Sequence, residues 1–339
     1  MLFRKAGRSR VSGAARSVFV ATAPFLIEPL FVERVWGWSN LHPWFDRKAD
    51  AQPIGEVWLT GDECKVASGP LTGGLLKDVF KDAPEAMLGK GAPSADSPLL
   101  IKVIFAREKL SVQVHPDDRL ARKYGQPRGK TECWYALAAE PSAQVALGLR
   151  PETTMSRVES GIEHGTLEQS LEMVPVRAGD MIYVDAGTVH AIWPGSILLE
   201  TQQNSDITYR LYDYGRGREL HIEKSLEAMQ LATRARKIPP IALSDRTILV
   251  DADYFRVERI PVEVSRASST LPSQEESAAG LSYLFAGEGS GRITSPSFGT
   301  IDLPPRGIVA IPAVSPVFAI QDLGGLDLIR ITPRWPECA

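Results

Sequence analysis

The strongest constraint on the fold lies in Leu110–Trp134, LSVQVHPDDRLARKYGQPRGKTECW. Side chains alternate faces along an extended strand, so Ser111, Gln113 and His115 point one way and Val112 and Val114 the other. The valines call for apolar packing; the opposite face carries an amide and an imidazole. Seventeen residues after His115 comes Glu132, at the head of an aromatic, apolar run, Glu-Cys-Trp-Tyr. A carboxylate there is costly to bury without a partner. Imidazole, carboxylate and amide oxygen together can hold a divalent ion.

A fourth ligand is expected downstream, and His190 supplies it. In GDMIYVDAGTVH, Gly179–His190, a turn at Ala178-Gly179-Asp180 feeds the β-rich run Met181-Ile182-Tyr183-Val184. A second turn, Asp185-Ala186-Gly187, delivers His190 to the head of the next strand. Two such hairpins facing each other in a small barrel would gather Gln113, His115, Glu132 and His190.

That spacing resembles the two metal motifs of cupin barrels. The segments SVQVHPDD, GKTECWY, GDMIYVDAGTVHAI and QQNSDITYRLYDYGR, in this order, are similar to the zinc-dependent mannose-6-phosphate isomerases in their short bacterial form. The resemblance runs through Pro24–Glu223 and fades beyond it. It implies a mainly β fold: a cupin (jelly-roll) barrel with short helical insertions and a second, degenerate cupin-like β domain at the C-terminus. It also implies aldose–ketose isomerisation of mannose 6-phosphate and fructose 6-phosphate through a cis-enediol(ate), with one Zn2+ on Gln113, His115, Glu132 and His190. Cobalt, manganese or iron suit the same ligands, since selectivity follows geometry and supply. A glutamine where common cupins carry a second histidine argues against an iron dioxygenase.

Further roles follow from the same resemblance. Arg210, after Asn204-Ser205-Asp206-Ile207-Thr208-Tyr209, matches the family's catalytic arginine and is assigned to the charge on the enediolate oxygens. The competing reading pairs it with Asp206 or Asp213. Lys130 shares a strand face with Glu132 and is assigned to the substrate, its phosphate or proton relay. Glu200 and Asp206 are the acids expected to line the pocket, with the proton-carrying base left open. Ser111 resembles the phosphate-contacting serine. Lys102, inside the apolar run LLIKVIFA, either snorkels to the rim or meets the phosphate, the second being favoured. Glu56, in a Glu-x-Trp similar to the family's, either lines the sugar pocket or is a surface or hydrogen-bonded strand residue, the second being favoured. Asp185 stands where the family has proline; a looser hairpin is expected, with little effect on His190.

Composition sets outer bounds. The chain has 339 residues, 44% hydrophobic and 23% charged, enough for two domains. A net charge of −3 gives no reason to expect nucleic acid or an anionic membrane as partner. No apolar run approaches the ~20 residues that span a bilayer. The expected ligand is a small sugar phosphate, and the chain a monomer or homodimer. Three scattered cysteines, Cys64, Cys133 and Cys338, fit a reducing cytoplasm; Cys133, by alternation, is a core residue. Residues 1–23 read as a basic tail in preference to an organelle transit peptide.

The catalytic domain is expected over residues 24–236, with helices at Leu75–Leu88 and Glu223–Ala232, a short helix and loop at Pro116–Gly129 whose Asp117 and Asp118 suit a helix start, and a helical stretch at Pro151–Leu171 broken at Gly161 and Gly165. Lys237–Pro240 reads as a linker, and residues 241–339 as the degenerate domain. There RGIVAIPAVSPVFAI parallels AGDMIYVDAGTVHAI, with Val317 at the position of His190 and no histidine after His221. His42, His164 and His221 read as loop, helix-end and capping or surface residues. Two rival functions remain: a cupin isomerase or epimerase on another sugar phosphate, and a non-catalytic, metal-dependent sugar-binding cupin.

Overall fold

A computed structural model describes residues 23–48, 50, 52–262 and 280–335. Nearly all of the basic tail, and Cys338, fall outside the described residues. The fold is mainly β, as expected of a cupin. Among the described residues four sheets form, and every strand pairing within them is antiparallel.

The central sheet has seven strands, in the order Arg236–Ile238, Met181–Val184, Glu132–Ala139, Ser196–Gln203, Leu99–Phe105, Ile54–Trp58 and Leu30–Trp38. Both of its faces are covered, which is why LLIKVIF is a continuous apolar run buried at every residue. Odd-numbered Ile101, Val103 and Phe105, with Cys133, Tyr135 and Leu199, pack against Tyr283, Phe285, Ile329 and Ile331 and the helix Leu76–Asp82. The other face carries Ile104, Trp134 and Leu198, packed with Val145, Leu147 and Ile192 of a five-stranded sheet. Those five strands run Tyr209–Tyr212, Val112–Val114, His190–Ile192, Gln144–Leu149 and Leu171–Pro175. Between the two facing sheets lies the interior that the polar residues enter.

The division anticipated near residue 240 is not a division between sheets. The C-terminal strands build an eight-stranded sheet that also takes in Phe25–Glu28 and Lys65–Val66 from the N-terminal half. Phe25 pairs with Ala310, burying an apolar strand that would otherwise be an open edge. The expected linker is likewise partly strand: Arg236–Ile238 adds to the edge of Met181–Val184. The helix after His221 is shorter than expected, Ile222–Ala228. A three-stranded sheet, Gly299–Leu303, Gly291–Ser295 and Ala319–Asp322, completes the C-terminal half. Val317 there is 82% exposed, so nothing at that position faces an interior.

In Trp36-Gly37-Trp38 the glycine is needed for close approach. A Cβ on Gly37 would sit 2.3 Å from the carbonyl carbon and oxygen of Ile54. The register also shifts there, between Glu33 and Trp38. This contact seats Trp36 as a wall of the interior.

Candidate active site

Three neighbouring strands set one row of side chains. Gln113 is the register partner of both His190 and Arg210, so the three project from one face of the five-stranded sheet. Glu132 begins the facing strand, and His115 follows Val112–Val114 by one residue. Ligand atoms of His115, Glu132 and His190 lie within 4.8 Å of one another. Each of these side chains is 1% exposed.

The tautomers are fixed from behind. His115 Nδ1 donates to Ile207 O at 2.7 Å, and His190 Nδ1 to Thr188 O at 2.9 Å. Both Nε2 lone pairs are thereby aimed at the carboxylate, 3.6 Å and 3.5 Å from Glu132 Oε2 and Oε1. Burial, aided by the Lys130 ammonium, holds His115 well below the usual imidazole range, and burial brings His190 down to about 4. Neutral imidazoles are the ligating form. Gln113 Nε2 lies 3.2 Å from His190 Nε2, while its Oε1 accepts from Ser111 Oγ at 3.2 Å. Amide oxygen and nitrogen exchange places by rotation, so this side chain also offers an oxygen to the same point.

Convergent lone pairs and a carboxylate demand a cation. Lys130 Nζ meets part of that demand, 2.9 Å from His115 Nε2 and 2.8 Å from Glu132 Oε2. The latter contact is ionic; Oε2 is buried with no partner in hydrogen-bond geometry. Two imidazole nitrogens, a carboxylate and an amide are a donor set that fits a divalent ion of the zinc type.

The turn before His190 is tied more tightly than its composition suggested. Asp185 Oδ1 accepts from Thr188 Oγ1 at 2.9 Å and Oδ2 from Arg234 N at 3.0 Å. The Asp185 carboxylate thereby restrains the turn at both of its oxygens.

The cavity beside these residues measures about 410 Å3. Trp36, Ile104, Leu110, Trp134 and Ile192 form its apolar wall; Ser111, Lys102, Lys130, Glu200, Asp206 and Arg210 line it too. Glu200 is buried and Asp206 exposed. Arg210 takes neither of its anticipated carboxylate partners. Asp213 is held instead by Arg216 and Arg218, and among the described residues Arg210 has no ion pair, while its Nε has no hydrogen-bond partner. His42 and His164 are exposed. His221 caps the helix position with no side-chain cap bond, and its Nδ1 accepts from Arg210 N at 3.3 Å.

Three further residues line the cavity: Glu56, whose pocket role is the less favoured reading of the sequence, and Arg34 and Arg218, which that reading does not single out. Glu56 accepts from Arg34 Nε and Nη2 at 3.2 and 3.1 Å and from Trp58 Nε1 at 2.7 Å. It is the hydrogen-bonded strand glutamate that was expected, and it faces the cavity as well. Its carboxylate lies 3.7 Å from Lys102 Nζ, which is 3.1 Å from Glu200 Oε1. Lys102 therefore neither snorkels nor stands free. Alternation on Leu30–Trp38 places Arg34 on the face of Trp36, the one hint that could have been followed.

Burial alone would raise the Glu56 carboxyl, but Lys102 and Arg34 outweigh it and bring it down to about 2. A depressed carboxyl stabilises the fold above its ordinary value of 4.5, and that stabilisation is lost as pH falls towards 2. Glu56→Gln should therefore cost on the order of 2–3 kcal/mol near neutral pH, the gap from wild type closing in acid. Urea unfolding of both proteins across that range measures it.

Fold and site together define a cupin-type β protein with a buried His-His-Glu group fit to hold a metal ion beside a polar cavity. The family described as phosphomannose isomerase type I, catalytic domain, matches residues 26–153. A protein of Bacillus subtilis (strain 168) named "Probable mannose-6-phosphate isomerase GmuF" is 36% identical over 293 residues, spanning 80% of this chain and 88% of that one. The mannose-6-phosphate isomerase of Streptococcus mutans is 33% identical over 287 residues, 79% of this chain and 88% of that one. The crystal structure of mannose 6-phosphate isomerase from Bacillus subtilis superposes with a TM-score of 0.79 at 29% identity, covering 92% of this chain and 99% of that one. The chain belongs to the type I phosphomannose isomerase family.

Proposed function

We infer that this chain interconverts mannose 6-phosphate and fructose 6-phosphate, with zinc held by Gln113, His115, Glu132 and His190. The observation that carries the reading is the convergence of two Nε2 lone pairs on a buried carboxylate, Glu132, which lines one cavity together with a guanidinium, Arg210, that has no ion pair among the described residues.

Isomerisation moves a proton between C2 and C1 through a cis-enediol(ate). The obstacle is the weak acidity of carbon beside a carbonyl. A bound divalent ion supplies Lewis-acid stabilisation of the negative charge that builds on the sugar oxygens. Arg210 adds a positive charge to the lining of the same cavity, available to the charge that develops on the sugar oxygens. Glu200 and Asp206, which both line the cavity, are the acids assigned to take and return the proton. Burial, with Glu132 nearby, raises the Glu200 carboxyl against the pull of Lys102 and Lys130, and a raised carboxyl suits proton exchange.

Carboxylates already meet the Lys102 and Lys130 ammonium groups. The phosphate is therefore assigned to the side of the cavity lined by Ser111, Arg34 and Arg218, whose guanidinium groups keep N–H donors beyond their pairs with Glu56 and Asp213, which leaves Arg210 to the enediolate. Guanidinium forks match phosphate oxygens in pairs. The free, buried thiols of Cys64 and Cys133 support a reducing, cytoplasmic setting. No helix among the described residues is long and apolar enough to cross a membrane.

The test is turnover. Zinc-loaded protein should convert mannose 6-phosphate to fructose 6-phosphate, measured by a coupled assay. Turnover of a different sugar phosphate alone, or binding without turnover, would favour the rival epimerase or sugar-binding readings.

A further inference from the structure

The C-terminal half holds no ligand, yet it touches the site through one carboxylate. Asp118 begins the helix Asp118–Lys123, three residues after the ligand His115. Its Oδ1 accepts from Gly129 N at 2.7 Å and from Gln203 Nε2 at 2.9 Å. Gly129 lies three residues before the ligand Glu132, and Gln203 three after Glu200. Gln203, 4% exposed, is bound in turn to Thr131, its Oε1 accepting from Thr131 N at 2.9 Å and its own N–H donating to Thr131 O at 3.1 Å. Lys130 N donates to Pro116 O at 3.0 Å. A Cβ on Gly129 would lie 2.5 Å from Asp117 C and Pro116 O, so the two ligand-bearing segments are packed backbone to backbone there.

The second oxygen of Asp118 faces the other half. Tyr254 OH donates to Asp118 Oδ2 at 3.0 Å. Tyr254 lies in the turn between Thr247–Asp251 and Phe255–Ile260 of the eight-stranded sheet. We propose that Tyr254 is a positioning residue: through Asp118 the C-terminal sheet pins the three segments that carry His115, Lys130-Glu132 and Glu200, and so governs how firmly the metal is held. This assigns the degenerate half a task in the reaction. It rests on the metal reading given above.

The mechanism is geometric. Asp118 has one carboxylate to share among a backbone amide, a side-chain amide and a phenol. Without the phenol its carboxyl plane is free to turn, and the Gly129 and Gln203 bonds lose their common anchor. Outer partners of metal ligands fix ligand orientation, so their loss shows in metal retention before it shows in folding.

The test uses full-length, zinc-loaded protein. Tyr254→Phe removes one oxygen and keeps the ring's packing. Zinc release to a chelating indicator is followed at a temperature well below the unfolding midpoint, alongside kcat and KM for mannose 6-phosphate. Release should quicken by about 3–10-fold and kcat fall similarly, with KM within about twofold, a smaller effect than loss of a direct ligand partner. Arg259→Gln is the control: it cuts a different contact between the halves, Arg259 Nη2 to Tyr135 OH at 2.5 Å, and should leave release unchanged. Unchanged release from Tyr254→Phe, or equal acceleration by Arg259→Gln, overturns the proposal while wild type still holds zinc. Wild type that holds no zinc overturns the metal reading itself, and this proposal with it.

Discussion

His190→Ala should all but abolish isomerase activity while leaving the fold in place. The residue heads a three-residue strand, and its ring contributes Nε2 to the cluster and Nδ1 only to Thr188 O. Ala191 and Ile192, with Val189, supply the buried apolar contacts of that strand, so the packing survives truncation. A Lewis acid contributes several kcal/mol to an enediolate-forming step, so its loss should lower kcat/KM by about 10^3 or more. Zinc retained after dialysis should fall in parallel, while the circular dichroism spectrum stays that of wild type. Full zinc content with normal turnover would remove His190 from the ligand set.

Arg210→Ala should give the second-largest loss, of a different kind. Removing one preorganised charge that faces a developing oxyanion costs about 10^2–10^3 in kcat. Zinc content should be unaffected, because Arg210 sits across Gln113 from His190 and outside the ligand cluster. The backbone there is held independently of the side chain. Arg210 N donates to His221 Nδ1, and His221 N donates to Arg210 O at 2.8 Å. Arg210→Lys should recover only part of the loss, since an ammonium lacks the planar fork. Steady-state kinetics with metal analysis separates the two variants. An Arg210→Ala enzyme with wild-type kcat would contradict the role given to the guanidinium.

The ligand cluster was legible because each member depends on local rules. Period-two alternation put Gln113 and His115 on one face and Cys133 behind Glu132, and the Asp185-Ala186-Gly187 turn announced His190. The helix starts were legible too: Asp117 accepts from Leu120 N at 2.7 Å, the cap that its position before the helix suggests.

What escaped depends on cross-strand register, which no local stretch encodes. Lys102 is the register partner of Glu200 and of Trp58, and its contacts with Glu200 and Glu56 follow from pairing strands 98 and 46 residues apart. A buried lysine so placed satisfies carboxylates before it can serve a phosphate. Register likewise placed Glu56 opposite Ile104, where Arg34 of the next strand binds it, turning a strand glutamate into part of the cavity wall. The entry of Phe25–Glu28 into the C-terminal sheet is longer-range still, joining residues Phe25 and Ala310. Sequence alternation predicted an apolar strand there and had no means of naming its partner.

The central claim is that four side chains from three chain segments, Gln113 with His115, Glu132 and His190, hold one catalytic ion. The most direct measurement removes the metal with a chelator, follows isomerisation of mannose 6-phosphate, and then restores zinc while counting bound metal. The account predicts about one zinc per chain, activity that vanishes with the metal, and activity that returns on reloading. Undiminished turnover by protein shown to be free of metal would contradict it.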